Sequence, residues 1–359
     1  MGTMLQRRAL AAADFGGAEL EGCNENLVRT RPDVILDVHR AYLDAGADII
    51  ETDSFGGTPI VLAEYGLDGS AAELNREAAR LARQAAGEFS SDARPRFVAG
   101  SMGPTTKSIT VTGGVTFSQL RDAFRVQARA LVEGGADLLL LETCQDTRNV
   151  KAAIDGIRMV ERELGVQIPL MISCTIEPTG TMLAGQTAEA FWVSVAHATP
   201  LSIGLNCATG PEFMTDHIRA LHELSTSRIS CYPNAGLPDE EGRYPETPES
   251  LSRQLDRFAA NGWLNIVGGC CGTTPEHIRA IARMVEDRAP RRAPAPSHRV
   301  FYSGIDLVEA EDSTRPLLVG ERTNVIGSRL FKDLIARESW DEASEIARRQ
   351  ARNGAQIID

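Results

Sequence analysis

The stretch 264-LNIVGGCCGTTPEHIRAIARMV-285 passes from an apolar strand pattern, through two adjacent cysteines flanked by glycine, into a helix. Leu264 to Cys271 reads as a buried strand, and Thr274-Pro275-Glu276 supplies the N-cap, the N1 proline and an acidic first turn. His277 then belongs on the helix rather than beside the cysteines. A strand that ends in Gly-rich chain and leads straight into a helix is one βα unit.

The same unit recurs upstream. Apolar runs at 47–55 (ADIIETDSF), 96–102 (RFVAGSM), 136–144 (ADLLLLETC), 168–176 (IPLMISCTI), 201–207 (LSIGLNC) and 228–234 (RISCYPN) complete a set of seven. They are almost wholly apolar instead of alternating, as parallel strands buried on both faces require. Amphipathic helices are predicted between them, over 70–87 and 116–134 among others. The phrases AGADII (45–50), GGADLL (134–139) and NGAQII (353–358) each place glycine where a helix ends and a strand begins. No G-x-G-x-x-G follows an early strand, which disfavours a dinucleotide-binding fold. The expected architecture is α/β: a TIM (β/α)8 barrel lacking one strand.

Composition sets the outer limits. The 359 residues are 43% hydrophobic, 24% charged and 5% aromatic, with a formal charge of −12. That balance suits a soluble globular chain and argues against a nucleic-acid surface, which needs clustered Lys and Arg. No run approaches the ~18 apolar residues of a membrane span, and no signal-peptide pattern opens the chain, so a cytoplasmic location is expected. Seven cysteines, an odd number, fit reduced thiols better than a disulfide framework.

After Arg288 the chain reads APRRAPAPSHR, Pro-rich and expected to be extended and exposed. The predicted division is a barrel over 1–288, a linker over 289–314, and the start of a second α/β barrel over 315–359. In the last, 317–320 reads as a strand, 339–353 as a helix and 355–359 as another strand. Two strands and a helix cannot bury a core, so the chain is read as a fragment of a longer protein.

Function in a parallel barrel gathers where strands end and βα loops begin. Cys207, Cys270 and Cys271 all sit at such ends. Adjacent strand residues point to opposite faces, so both members of the pair reach one ion only if the backbone leaves β geometry; Gly268, Gly269 and Gly272 permit that. Three thiolates with one open position describe a catalytic zinc site, and a substrate thiol held there loses its proton near neutral pH. Spacing alone leaves core packing or a strained disulfide open for the pair. Cys23, Cys144, Cys174 and Cys231 read as packing.

The motifs GCNENL (22–27), AGADIIETDSF (45–55), AGSMGPT (99–105), LLETCQD (140–146), GLNCATG (204–210), YPNAGLP (232–238) and GGCCGTTPEHI (268–278) together resemble the homocysteine-binding domain of cobalamin-dependent methionine synthases, over residues 1 to about 288. VGERTNVIGSRLFKDLI (319–335) with NGAQIID (353–359) is similar to the opening of their pterin-binding barrel. The resemblance implies a barrel of the homocysteine S-methyltransferase type in which Cys207, Cys270 and Cys271 hold zinc. Homocysteine would add its sulfur and take a methyl group from methylcobalamin, carried by a cobalamin-binding domain of the same polypeptide. It further implies that Glu142 meets the substrate ammonium and that Asn234 stands beside the metal. Ser101 and Asp53 would lie at the substrate. Glu321 and Asn324 match positions that contact the pterin of 5-methyltetrahydrofolate. A structural ion pair for Glu142 and a turn-forming role for Asn234 stay open on the residues alone.

Two departures from that pattern carry expectations. A strand ending in Asp-Gly-Ala ordinarily precedes MGTMLQ, so the absent strand is the first, leaving two exposed sheet edges. Asp53-Ser54 replaces Asn-Thr, adding a negative charge near the barrel mouth. Alternatives are a stand-alone homocysteine methyltransferase using a betaine or S-methylmethionine type of donor, or a zinc-binding module without catalysis.

Overall fold

Helix and strand order in the computed structural model follows the βα period. The structure describes residues 1–295 and 298–359, which fall into two compact units, Met1–Pro296 and Ser297–Asp359. In the first, seven strands form one parallel sheet in chain order: β1 (Ile49–Glu51), β2 (Phe97–Met102), β3 (Leu138–Cys144), β4 (Leu170–Cys174), β5 (Ser202–Asn206), β6 (Arg228–Tyr232) and β7 (Ile266–Val267). Long helices cover it: α1 (Pro32–Asp44), α2 (Ala71–Phe89), α3 (Phe117–Glu133), α4 (Thr147–Leu164), α5 (Ala188–Val195), α6 (Pro211–Leu224), α7 (Pro248–Ala260) and α8 (Pro275–Val285). All seven expected strands are present, each shorter than its apolar run.

Local sequence explains the boundaries. Thr116 and Gln119 exchange hydrogen bonds to start α3, and Asp146 accepts from the Arg148 N–H to start α4. Gly46, Gly135 and Gly354, one from each repeated phrase, have φ of +107°, +101° and +95°, the left-handed turn that stops a helix ahead of a strand. Leu139, Leu141, Ile172, Ile203 and Ile229 face the helices and build the main core with Phe191, Leu255 and Phe258. A smaller apolar cluster of Ala99, Leu138, Leu140, Met171 and Tyr232 fills the concave side.

The sheet curls without closing: β1 pairs with β2 and β7 with β6, and among the described residues β1 and β7 do not pair with one another. Burial tracks this seam, because β4 and β5 are buried throughout whereas β1 and β7 are partly open. The helices do close. α8 packs on α1 as well as α7, Arg279 pairs with Asp44, and the Tyr42 hydroxyl donates to the Thr273 carbonyl. The Thr3 hydroxyl accepts the Gly272 N–H at 3.0 Å, and Leu5 is buried. The first residues of the chain therefore lie against the loop that follows β7.

The Pro-rich stretch departs from the expected exposure at Arg291. Its guanidinium is buried at the base of the barrel and donates to the carbonyls of His222, Ser225 and Ser227 and to His222 Nδ1. The carbonyls that α6 leaves behind give it partners that periodicity does not reveal. Residues 289–314 also contain an antiparallel hairpin, β8 (Phe301–Ser303) with β9 (Leu307–Glu309), turning through Gly304 to Asp306. Further on, β10 (Val319–Gly320) lies parallel to β11 (Ile357–Ile358), joined through α9 (Arg329–Ala336) and α10 (Trp340–Arg352). Leu334, Ala343 and Ile346 form the small core between those helices.

Candidate metal centre

Cys207 follows β5, and Cys270 and Cys271 follow β7, all at the C-terminal edge of the sheet. Their sulfurs lie within 4.8 Å of one another; Cys207 to Cys271 is 3.8 Å and Cys270 to Cys271 is 4.0 Å. Sulfurs placed tetrahedrally ~2.3 Å from zinc stand ~3.8 Å apart, so the trio fits that ion with one face open.

The backbone reaches this arrangement differently from expectation. Of the three glycines, only Gly272 is left-handed, at φ +79°. Gly269 is needed for space, because a Cβ there would meet Thr273 Cγ2 at 2.4 Å. The unforeseen conformations are at Cys207 and Ala208, both at φ +57°. For side-chain-bearing residues such turns cost about 1–3 kcal/mol and persist where the surroundings hold them. Here the Cys207 carbonyl accepts from Thr209 N–H at 2.6 Å, and the Thr209 carbonyl accepts from Asn234 N–H at 3.2 Å. Asn234, 4% exposed, accepts the Cys271 N–H on Oδ1 at 3.1 Å, while the Cys270 N–H donates to the Pro233 carbonyl. Thus YPNAG acts as a cradle for the vicinal pair.

The three thiols share charge. Cys271 is pulled down to about 3 by hydrogen bonds from Cys207 and Cys270, which outweigh burial, with help from the Tyr244 hydroxyl. Cys270 is pushed well up by its contacts with Cys207 and Cys271 and by burial. One thiolate held by two thiols is a site prepared for a cation. Cys23, Cys144, Cys174 and Cys231 are buried away from it, as packing residues are. His277 caps α8: its Nδ1 accepts the Thr274 N–H and its Nε2 faces the Glu246 carbonyl.

Glu142, on β3, points into the concave side, 4% exposed, and accepts from the Ser101 hydroxyl. Burial and the Glu51 carboxylate hold its pKa well above the usual range, against the Ser101 hydrogen bond. No cation pairs with it among the described residues, so the ion-pair alternative has no partner. Asp53 is also buried, with Oδ2 unpartnered, and burial plus Glu25 drive it toward the protonated form. Glu321 is exposed, and Asn324 accepts from the Ile326 N–H within its own loop; both lie in the second unit.

Three residues near the site were not singled out from sequence. Tyr244 stacks over Gly272, whose added Cβ would lie 2.3 Å from the ring. Tyr232, on β6, buries an unpartnered hydroxyl, and the charge of Glu51 raises the pKa of Glu142. Strand geometry puts Tyr232 on the face of β6 opposite Ile229 and Cys231; no local signal marks Tyr244 or Glu51. A separate cleft of about 520 Å³, lined by Leu201, Arg228, Asn265 and Arg291, lies at the opposite, N-terminal ends of the strands.

The family profile of homocysteine S-methyltransferases matches residues 1–285, and the chain belongs to that family. It is a methyltransferase of the homocysteine S-methyltransferase type. Among solved structures it is similar to the homocysteine methyltransferase MmuM of Escherichia coli in its metallated form, at 25% identity and a TM-score of 0.65, covering 79% of this chain and 93% of that one. The oxidized form of the same protein matches with the same values, and the apo form at 24% identity with a TM-score of 0.61.

Proposed function

We propose that residues 1–288 bind zinc through Cys207, Cys270 and Cys271 and methylate homocysteine with a methyl group from methylcobalamin, as a module of a cytoplasmic methionine synthase. The observation that carries this reading is the three-sulfur cluster, spaced for a tetrahedral ion and open on one side. Bound zinc supplies Lewis-acid stabilisation of a thiolate at neutral pH.

The chain's own residues do the rest. Glu142 receives the substrate ammonium, and Ser101 holds that carboxylate in place by donating to it. Asn234 fixes Cys271, and Asp53 adds a buried carboxyl at the mouth. The substrate sulfur, its proton lost to solvent, forms the S–CH₃ bond while the donor keeps the electron pair of the bond that breaks. Displacement at a methyl carbon needs an in-line, unhindered sulfur, so orientation supplies much of the rate. The βαβ unit of β10, α9, α10 and β11 supports reading 315–359 as the first part of a pterin-binding barrel, with Glu321 and Asn324 toward 5-methyltetrahydrofolate and 289–314 as the connecting segment. The donor domain is then another part of the same polypeptide.

Zinc-edge X-ray absorption with and without L-homocysteine tests the site: three sulfurs around zinc, joined by a fourth on adding homocysteine, is the expected result. A shell indifferent to homocysteine would overturn it. Methyl transfer from methylcobalamin, compared with S-methylmethionine and betaine, tests the donor; turnover with either small donor and none with methylcobalamin would make the chain a stand-alone enzyme.

A further inference from the structure

We propose that Asn206, the residue before the first thiol, is a positioning residue that fixes the Glu142 carboxylate relative to the sulfurs and so sets a preference for thiols bearing an amino group. This rests on the function proposed above. Asn206 ends β5 and is fully buried. Its Oδ1 accepts the Thr143 N–H at 2.9 Å and the Ser173 hydroxyl at 2.7 Å. Its Nδ2 donates to Thr143 Oγ1 at 2.8 Å and faces Cys270 Sγ at 4.0 Å. One side chain therefore ties β3 and β4 to the loop that carries the vicinal thiols.

Thr143 is where this matters. It adopts φ +56°, a left-handed conformation unfavourable for a β-branched residue, at the register break between Leu141 and Cys144. Asn206 grips it twice, at the N–H and at the hydroxyl. The Thr143 N–H belongs to the peptide unit joined directly to Glu142, so fixing its direction fixes the strand segment from which the carboxylate projects. Ser101 then orients the carboxylate itself. The amino-group end of the site and its sulfur end share one buried amide.

The test compares L-homocysteine with 4-mercaptobutyrate, which lacks the amino group, binding by calorimetry to the zinc-loaded full chain. The wild type is expected to prefer homocysteine. Asn206→Ala should cut that preference about tenfold, the loss of one charge-assisted contact, while 4-mercaptobutyrate binds within about twofold of the wild type. Asn206→Asp, which keeps an acceptor for Thr143 and Ser173, should retain most of the preference. Equal weakening of both thiols, or an unchanged preference, in Asn206→Ala would overturn the proposal. A wild type that binds neither thiol, or both alike, would instead sink the reading of Glu142 as the ammonium partner and this inference with it. Should Asn206→Ala fail to fold, Asn206→Ser, whose hydroxyl is too short to span to Thr143, carries the same comparison.

Discussion

Asn234 Oδ1 accepts the backbone N–H of Cys271 at 3.1 Å, although 36 residues separate the two in the chain and they arrive from different strands. The bond turns the second thiol of the pair toward the first. Asn234→Ala is expected to leave the barrel folded and to weaken zinc binding about tenfold, within the range for loss of an outer-shell partner. Competition against a chelator of known affinity measures this. Unaltered affinity would mean that the glycine-rich backbone alone sets the thiol geometry.

The cysteines separate into two classes with opposite expected phenotypes. Alanine at Cys207, Cys270 or Cys271 should abolish stoichiometric zinc by elemental analysis, with little loss of stability in the apo protein. Alanine at Cys231, fully buried against Met214, should keep zinc and cost about 1–2 kcal/mol in denaturant melts. Retained zinc in any of the first three variants would remove that residue from the ligand set.

Glu142 gives a pH signature. Its pKa in the fold lies above its ordinary value, so the folded state holds a proton that the unfolded chain releases. As pH rises from the ordinary carboxylate range toward the raised value, the native state loses stability; below that range no difference remains. Glu142→Gln removes the penalty. Its melting temperature should gain on the wild type as pH rises from about 4, where a free carboxyl ionises, through the neutral range, while homocysteine binding is lost. A constant difference across that range would show that the carboxyl titrates normally.

Gly204 sits where β5 passes β6, and a Cβ there would lie 2.0 Å from the Ser230 carbonyl oxygen. The obstacle is main chain and cannot rotate away. Gly204→Ala should destabilise the barrel by about 3 kcal/mol or more, visible as a lowered thermal midpoint or insoluble expression. A melt matching the wild type would show that the two strands can separate at little cost.

Arg291 makes the converse case, far from the thiols. Arg291→Ala removes the donor from three carbonyls, that of Ser225 buried and those of His222 and Ser227 partly so, and should cost about 1–3 kcal/mol with zinc and homocysteine binding intact. Loss of either ligand would instead tie the base of the barrel to its mouth.

Much of this was legible beforehand because it depends on short-range pattern. Seven parallel strands follow from seven apolar runs, although β1 and β7 are only partly buried, and the glycine that ends the helix in each repeated phrase takes the left-handed turn its position demands. Cys207, Cys270 and Cys271 were identifiable because each lies just past a strand. The contributions of Asn206 and Tyr244 were not, since each depends on which strands become neighbours. The Asn206 amide matters only because β3 and β4 present Thr143 and Ser173 to it. The buried Arg291 eluded a reading by composition for the same reason: its partners are main-chain carbonyls, which sequence does not distinguish.

The seam between β1 and β7 has a kinetic consequence. Cys207 follows an interior strand and the vicinal pair follows an edge strand, so any ion bound by all three sulfurs sutures the edge to the interior. Amide hydrogens of β7 should exchange rapidly in metal-free protein and slow sharply when zinc is added, while those of β3 to β5 change little.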